Sequence, residues 1–151
     1  MIIVLLMLTS ALAGCAGTDG TNGTDGTNGT DAQSAPFDLS YADLTGASLA
    51  LMDLRDADLS HGVLSYADLR YTDLNGADLS YADLTGANLT GANLRGANLT
   101  MADLDYADLS NANLYGAYLY GADLTGVNWD WAKCPDGTYA NHHGQNCAYN
   151  L

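Results

Sequence analysis

The stretch GADLSYADLTGANLTGANLRGANLT, Gly76 to Thr100, places a leucine at every fifth position. A spacing of five fits neither regular secondary structure. On an α-helix, successive leucines would step about 140° around the axis and form no apolar stripe. On a continuous strand, an odd spacing sends successive leucines to opposite faces. A chain that turns a corner once per five residues does bury them together, because each short side points its leucine toward a common axis.

The repeat extends from Phe37 to Trp131 as an uninterrupted array of 19 pentapeptides. The central residue is Leu in 18 units and Trp129 in the last, and the residue two positions earlier is Ala in 14 units. The residue before the centre is Asp in 11 units and Asn in 5. Because Asp and Asn interchange, we predict that their shared side-chain carbonyl oxygen accepts a hydrogen bond at the corner. Repetition of this regularity decides the fold.

The units ADLSY, ADLTG, ANLTG and ANLRG resemble the A(D/N)LXX consensus of pentapeptide-repeat proteins. The resemblance implies an all-β fold, a right-handed quadrilateral parallel β-helix. Four sides of five residues make 20 per coil, so the 19 units would form between four and five coils. At about 4.8 Å per coil, the rod would be roughly 23 Å long. Its axis would be filled by the central leucines, among them Leu39, Leu44, Leu79, Leu84, Leu89, Leu94, Leu99 and Leu104.

Stacked coils would place residues 20 positions apart in columns along the rod. One column would hold Asp43, Asp83, Asp103 and Asp123, interrupted by Val63. Another would hold Tyr41, His61 and Tyr81. The aromatic column either packs on itself or forms a binding surface, and self-packing is the more common use of such ladders.

The ends of a solenoid expose axial side chains and unpaired backbone, so they need caps. Phe37 replaces Ala in the first unit and is predicted to plug the N-terminal end. Trp129 takes the last axial position, with Trp131 predicted to cover it. The C-terminal tail resembles a cysteine-bracketed segment that follows some bacterial pentapeptide arrays, which implies a disulfide between Cys134 and Cys147. A zinc site formed by these two cysteines with His142 and His143 is the alternative, although the spacing lacks a CxxC pair.

The N-terminus carries a 12-residue apolar run, Ile2 to Ala13, which is too short to span a bilayer but fits the core of a signal peptide. The sequence Leu12-Ala13-Gly14-Cys15 resembles a bacterial lipobox. The resemblance implies cleavage before Cys15 and attachment of a diacylglyceryl lipid to its thiol. This would leave an even pair of cysteines for a disulfide in an oxidising compartment.

Four segments are therefore expected along the chain: a signal peptide (1–14), a lipid-anchored low-complexity linker (15–35), a β-helix (36–131) and a disulfide-closed cap (132–151). The linker contains GTDGTNGTDGTNGTD, Gly17 to Asp31, which is rich in turn-forming pairs and offers nothing to bury. Its three Asp lack the ligand pattern of an EF-hand loop, so calcium binding is not predicted.

The chain has 18 Asp, no Glu and four cationic residues, for a formal net charge of −14. Such a chain repels nucleic acid and anionic lipid, and favours basic protein surfaces. No nucleophile–base pair or phosphate loop is present in the sequence, and the disulfide is favoured over the zinc site, so we predict a protein without enzymatic activity or cofactor.

The predicted function is a cell-envelope lipoprotein whose rigid acidic rod serves structural or protein–protein interaction. Its partners would be the membrane, through the lipid, and a protein not identified by the sequence, with a monomer favoured. Ala16 after the lipid cysteine implies the outer membrane where the organism has one. The alternative is an acidic, DNA-mimicking regulator of a cytosolic nucleic-acid enzyme such as DNA gyrase, which is an activity known in the family that this chain resembles.

Overall fold

The structure, a computed structural model, describes residues 37–140 and Cys147. The chain divides into two units, Met1–Ala35 and Pro36–Leu151, and all described residues belong to the second. The predicted signal segment, the lipidation site Cys15 and the linker lie outside the described residues. Where the structure describes the chain, it contains no helix long and apolar enough to cross a membrane.

Residues 37–134 form a four-sided parallel β-helix with one coil per 20 residues. Neighbouring coils pair through single-residue parallel bridges, which begin with Asp38↔Asp58 and continue to Asn113↔Lys133. Backbone hydrogen bonds run in both directions across each bridge. Leu39 N–H donates to the carbonyl of Asp58 at 2.7 Å, and Asp58 N–H donates to the carbonyl of Phe37 at 2.8 Å. This register confirms the fold class and the predicted step of 20 residues.

Leucine fills the axis of this β-helix, and alanine lies beside it. The axial leucines, at every fifth position from Leu44 to Leu119, are at most 5 % exposed, and most are fully buried. The alanines two positions before them are also buried along most of the rod, since four walls that meet in a narrow tube leave no room for more volume. Leu39 and Leu124, at the two ends of the leucine array, are only half-buried.

Thr72 replaces one of these alanines without leaving its hydroxyl unpaired. The residue is fully buried, and its Oγ1 donates a 2.9 Å hydrogen bond to the carbonyl of Leu49 in the coil before it. A buried hydroxyl costs free energy unless it is bonded, so this contact explains why the axis accepts a threonine at this position.

Every corner is a β-turn closed by a hydrogen bond to the carbonyl of the axial residue from the N–H three positions later. Alanine is the donor in most units, such as Ala87 to Leu84 at 2.9 Å. The third residue of each turn has a positive φ, as in a type II turn. Glycine takes this position in units such as Gly86 (φ 64°), but Tyr, His, Leu, Asp, Met, Asn and Trp take it elsewhere, for example Tyr66 at φ 59°. The fold therefore imposes the left-handed conformation whether or not glycine is present.

Tyrosines at the corners lie over glycines of the following coil. A Cβ built on Gly86 would stand 2.7 Å from Cε1 of Tyr66, and Gly126 bears the same relation to Tyr106, at 2.6 Å from its Cδ1. Since Cβ contacts this short do not occur, a side chain at either position would displace the tyrosine ring from the place that it occupies here. At Gly96, in contrast, an added Cβ would meet nothing within 4 Å.

This difference predicts unequal costs for two identical substitutions. G96A should lower the free energy of unfolding by about 1 kcal/mol, the cost of a Cβ at positive φ. G86A should lose about 1 kcal/mol more, because the Tyr66 ring must move out of contact. Urea unfolding of both variants measures the difference, and adding Y66A to each should abolish it. Equal losses in the two single variants would contradict the role assigned to the Tyr66–Gly86 contact.

Candidate interaction surfaces

The four sides of the rod are defined here by the residues that form their bridges. Side 1 carries Asp38, Asp58, Asp78, Asn98 and Tyr118; side 2 carries Asp43, Val63, Asp83, Asp103 and Asp123; side 3 carries Ser48, Asp68, Asn88, Asp108 and Asn128; side 4 carries Asp53, Asp73, Asn93, Asn113 and Lys133. Side 2 is the most acidic, because Asp105 also lies on it and it holds no Lys or Arg. Three of the four cationic residues, Arg55, Arg95 and Lys133, lie on side 4, which is opposite.

The Asp and Asn side chains are structural acceptors at the corners. On side 2, the Thr45 backbone N–H and hydroxyl donate to Oδ1 of Asp43 at 3.1 and 2.7 Å. On side 3, Thr90 makes the same pair of bonds to Oδ1 of Asn88, at 3.1 and 2.7 Å. The prediction that the shared oxygen matters at this position is therefore confirmed.

These bonds also hold the aspartates in their ionised form. Hydrogen bonds from the Thr45 hydroxyl and backbone N–H lower the pKa of Asp43 below its usual range, and those from Thr125 do the same for Asp123. A carboxyl group whose pKa is lowered by folding favours the folded state above the ordinary Asp pKa. That contribution is lost as the pH falls through the lowered value.

Asp105 is the exception on side 2. It occupies the position that Thr45, Ser65, Thr85 and Thr125 hold in the other coils, and its Oδ1 is buried without a hydrogen-bond partner. Burial, and then the charges of Asp123 and Asp103, raise the pKa of Asp105. Because folding raises this pKa, ionisation of Asp105 opposes folding at neutral pH, and protonation relieves the opposition.

We therefore expect D105N to raise the midpoint of thermal unfolding at pH 7. The gain should fade as the pH is lowered and vanish below pH about 3, where the wild-type carboxyl is protonated in both states. D43N is the control on the same side, since it removes an ionised group whose pKa is lowered and should decrease the midpoint at pH 7. A midpoint that falls in D105N at pH 7 would contradict the assignment.

The aromatic column at the corner between sides 1 and 2 packs on itself. The Tyr41 and His61 rings stack with centroids 4.7 Å apart, and the His61 and Tyr81 rings with centroids 4.8 Å apart. The planes are parallel to within 3°. Both ring faces of His61 are therefore covered by tyrosines.

The C-terminal end is closed by a short hairpin. Lys133 and Tyr139 form an antiparallel bridge, and Ala140 N–H donates to the Ala132 carbonyl at 2.9 Å. A disulfide joins Cys134 and Cys147, which are both buried. His142 and His143 lie outside the described residues, and the residues described form no cluster of three or more His, Cys or acidic side chains that could hold a metal.

Tryptophan fills the last axial position. Trp129 is 7 % exposed, whereas Trp131 occupies a corner position with φ 60° and is 57 % exposed. At the opposite end, Phe37 is half-buried in the first coil. The sequence pattern identified the axial tryptophan, and the turn-forming sequence Pro135-Asp136-Gly137 lies between Lys133 and Tyr139. The antiparallel pairing of Lys133 with Tyr139 itself was not predicted.

The sequence matches the family profile described as pentapeptide repeats (8 copies) over residues 38–65, 63–96 and 92–128. No curated protein sequence matches the chain significantly.

Solved structures resemble the chain along most of its length. HetL, a pentapeptide repeat protein involved in heterocyst differentiation regulation in the cyanobacterium Nostoc sp. strain PCC 7120, is 34 % identical with a TM-score of 0.57, and the match covers 68 % of this chain and 53 % of HetL. Rfr23 from the cyanobacterium Cyanothece 51142 is 38 % identical with a TM-score of 0.53, over 66 % of this chain and 64 % of Rfr23. A pentapeptide repeat protein of the Arabidopsis thaliana thylakoid lumen is 34 % identical with a TM-score of 0.53, over 70 % of each chain.

The chain thus spans about half the length of HetL and less than two-thirds of Rfr23. These relatives are right-handed quadrilateral β-helices, as is the repeat array described above. The chain belongs to the pentapeptide-repeat family.

Proposed function

We propose that this protein is a non-enzymatic scaffold of the bacterial cell envelope, tethered through a lipid on Cys15 and presenting its acidic rod to a protein partner with a basic surface. The observation that carries the proposal is side 2, where Asp83, Asp103 and Asp123 follow one another along a hydrogen-bonded ladder, Asp43 precedes them beyond Val63, and no cation lies between them. A fixed row of like charges attracts a complementary surface over several ångströms.

The structure of the rod favours a role in binding over a role in catalysis. Its side chains at the axis are Leu and Ala, and most of its Asp and Asn side chains bond to the backbone two residues later. Within residues 37–140, His61 is the sole histidine, and it is stacked between two tyrosines rather than placed beside a nucleophile. A general base must reach the proton that it removes, and this arrangement gives His61 no such partner.

Export and anchoring rest on the sequence. The apolar run Ile2–Ala13 and the motif Leu12-Ala13-Gly14-Cys15 are typical of a lipoprotein signal. The bond between Cys134 and Cys147 agrees with an oxidising compartment, because cytosolic thiols are kept reduced.

Fractionation of cells that express the native gene, followed by intact mass measurement, tests the location. We expect a membrane-bound species that lacks residues 1–14, is heavier by the lipid and is lighter by two hydrogens for the disulfide. C15S should abolish both the cleavage and the membrane association. A soluble cytosolic species that retains Met1–Gly14 would overturn the lipoprotein proposal and favour the second candidate, an acidic regulator of an enzyme such as DNA gyrase, whose direct test is inhibition of supercoiling.

Cross-linking of the chain in intact cells tests the acidic surface. D83N/D103N, on side 2, should reduce recovery of the cross-linked partner severalfold. D78N/D108N removes the same charge from sides 1 and 3 and should leave the recovery unchanged. Equal reductions in the two variants would show that net charge, rather than side 2, attracts the partner.

A further inference from the structure

Side 4 changes its charge along the rod. Its bridge residues, each paired with the next by a parallel bridge, run Asp53, Asp73, Asn93, Asn113 and Lys133. The side therefore begins with two carboxylates, continues with two neutral amides and ends with an ammonium group. On a chain of net charge −14, the C-terminal half of side 4 is a local region without carboxylates at its bridge positions.

Of the four cations, Arg55 and Arg70 have carboxylate partners, and Arg95 and Lys133 have none within the part of the chain that the structure describes. Arg55 bonds to Asp53 at 2.6 Å and lies 3.9 Å from Asp73, and Arg70 bonds to Asp68 at 2.7 Å. Among the residues that the structure describes, no carboxylate lies within ion-pair distance of Arg95 or Lys133. These two side chains keep their charge available to a ligand.

Tyr115 contacts both cations, since Arg95 lies on the coil before it and Lys133 on the coil after it. The Arg95 guanidinium carbon lies 5.4 Å from the centroid of the Tyr115 ring, and the Lys133 ammonium nitrogen lies 5.1 Å from it. The same ammonium lies 5.9 Å from the centroid of the Tyr139 ring. Contacts of this length are attractive cation–π interactions, and they restrict side chains that would otherwise be mobile.

The region is accessible to a ligand on its surface. Tyr115 is 46 % exposed and Tyr139 is 61 % exposed. At the adjoining corner, Gly96 and Gly116 leave open space, since a Cβ added to either would meet nothing within 4 Å. The hairpin bridge between Lys133 and Tyr139 forms the edge of the region at the C-terminal end of the rod.

The geometry points to an anion-binding site at Arg95, to which Lys133, two coils further along side 4, adds a second positive charge. We call these two cations, together with Asn93, Asn113, Tyr115 and Tyr139, the cationic patch. A guanidinium group pairs with a carboxylate or a phosphate through two parallel hydrogen bonds, and the ammonium group adds a second charge. A dense polyanion would be repelled by the rest of the chain. The ligand is therefore a single carboxylate or phosphate group on an otherwise uncharged carrier, such as an acidic sugar.

Titration of the full, disulfide-bonded chain, followed by ¹H–¹⁵N NMR at constant ionic strength, tests this site. The probes are galacturonate, glucose 6-phosphate and, as the uncharged control, galactose. We expect saturable shifts of the amide signals of residues 93–96, 113–116, 133–134 and 136–139 with one or both anionic sugars, and none with galactose. Binding of galacturonate alone would assign the site to carboxylates, and comparable binding of glucose 6-phosphate would extend it to phosphates.

Two double variants of equal charge separate the site from net charge. R95Q/K133Q should weaken binding about tenfold, whereas R55Q/R70Q, which removes two cations already paired with aspartate, should change it less than about twofold. Wild-type affinity should also fall as NaCl is added. Shifts that are scattered, that galactose reproduces, or that both variants weaken equally would overturn the proposal.

Discussion

Replacing Leu84 with alanine is expected to lower the free energy of unfolding by about 3–5 kcal/mol, the range for truncating a fully buried leucine. Leu84 is 0 % exposed, and its backbone N–H donates to the Asp103 carbonyl at 2.7 Å. The side chain lies on the axis with leucines of the coils before and after it, each held by its own ladder. The walls therefore cannot collapse into the cavity, which places the expected loss toward the upper end of the range.

The repeat supplies its own control for this substitution. Leu51 lies in the same array at a corner and is 77 % exposed, so L51A removes the same atoms from solvent-exposed surface. Its unfolding free energy should stay within about 0.5 kcal/mol of the wild type. Urea unfolding of the full chain, with both variants measured side by side, decides the matter. Comparable losses at the two positions would mean that burial on the axis does not dominate stability.

Loss of the disulfide is expected to have the next largest effect. Cys134 and Cys147 are 13 residues apart, and a bridge that closes a loop of this size contributes about 3 kcal/mol by restricting the unfolded chain. Dithiothreitol should therefore lower the unfolding midpoint of the wild type. C134S/C147S should start at a lower midpoint and show no further response to the reductant.

A wild-type midpoint that does not respond to dithiothreitol, although mass spectrometry shows both thiols reduced, would contradict this contribution. The effect should be strongest for the hairpin, because Ala140, whose N–H donates to the Ala132 carbonyl, lies inside the loop that the disulfide closes. Amide exchange of Ala140 should accelerate on reduction, while that of Leu84, in the middle of the rod, should follow global unfolding.

The sequence predicted the axis and the columns because both depend on period alone. A leucine every fifth residue requires corners, and the 20-residue step then places Asp83 beside Asp103 and His61 between Tyr41 and Tyr81. These predictions concern which residues are neighbours. In a regular backbone, the repeat length alone determines the neighbours, whatever rotamers the side chains adopt.

Features that depend on side-chain direction could not be predicted in this way. Glycine at the corner is typical of a tight turn, but tyrosine adopts the same positive φ. The close approach of the Tyr66 ring to Gly86 depends on the direction of the ring, which the repeat does not determine. The grouping of Arg95 and Lys133 around Tyr115 likewise depends on long side chains and on a hairpin outside the repeat.

The register of 20 residues per coil also means that the number of pentapeptides sets the direction in which later segments face around the rod axis. Inserting one whole pentapeptide would preserve the axis but rotate everything that follows by a quarter turn, whereas inserting four would restore the direction and lengthen the rod by about 4.8 Å. The terminal hairpin and the cationic patch could thus face any of four directions around the rod axis relative to the first coil. The residues that form them would not change. At a single site in the array, duplication of 15 bases would add one pentapeptide and change the direction in which the later segments face. Duplication of 60 bases would add one coil and change only their distance from the first coil.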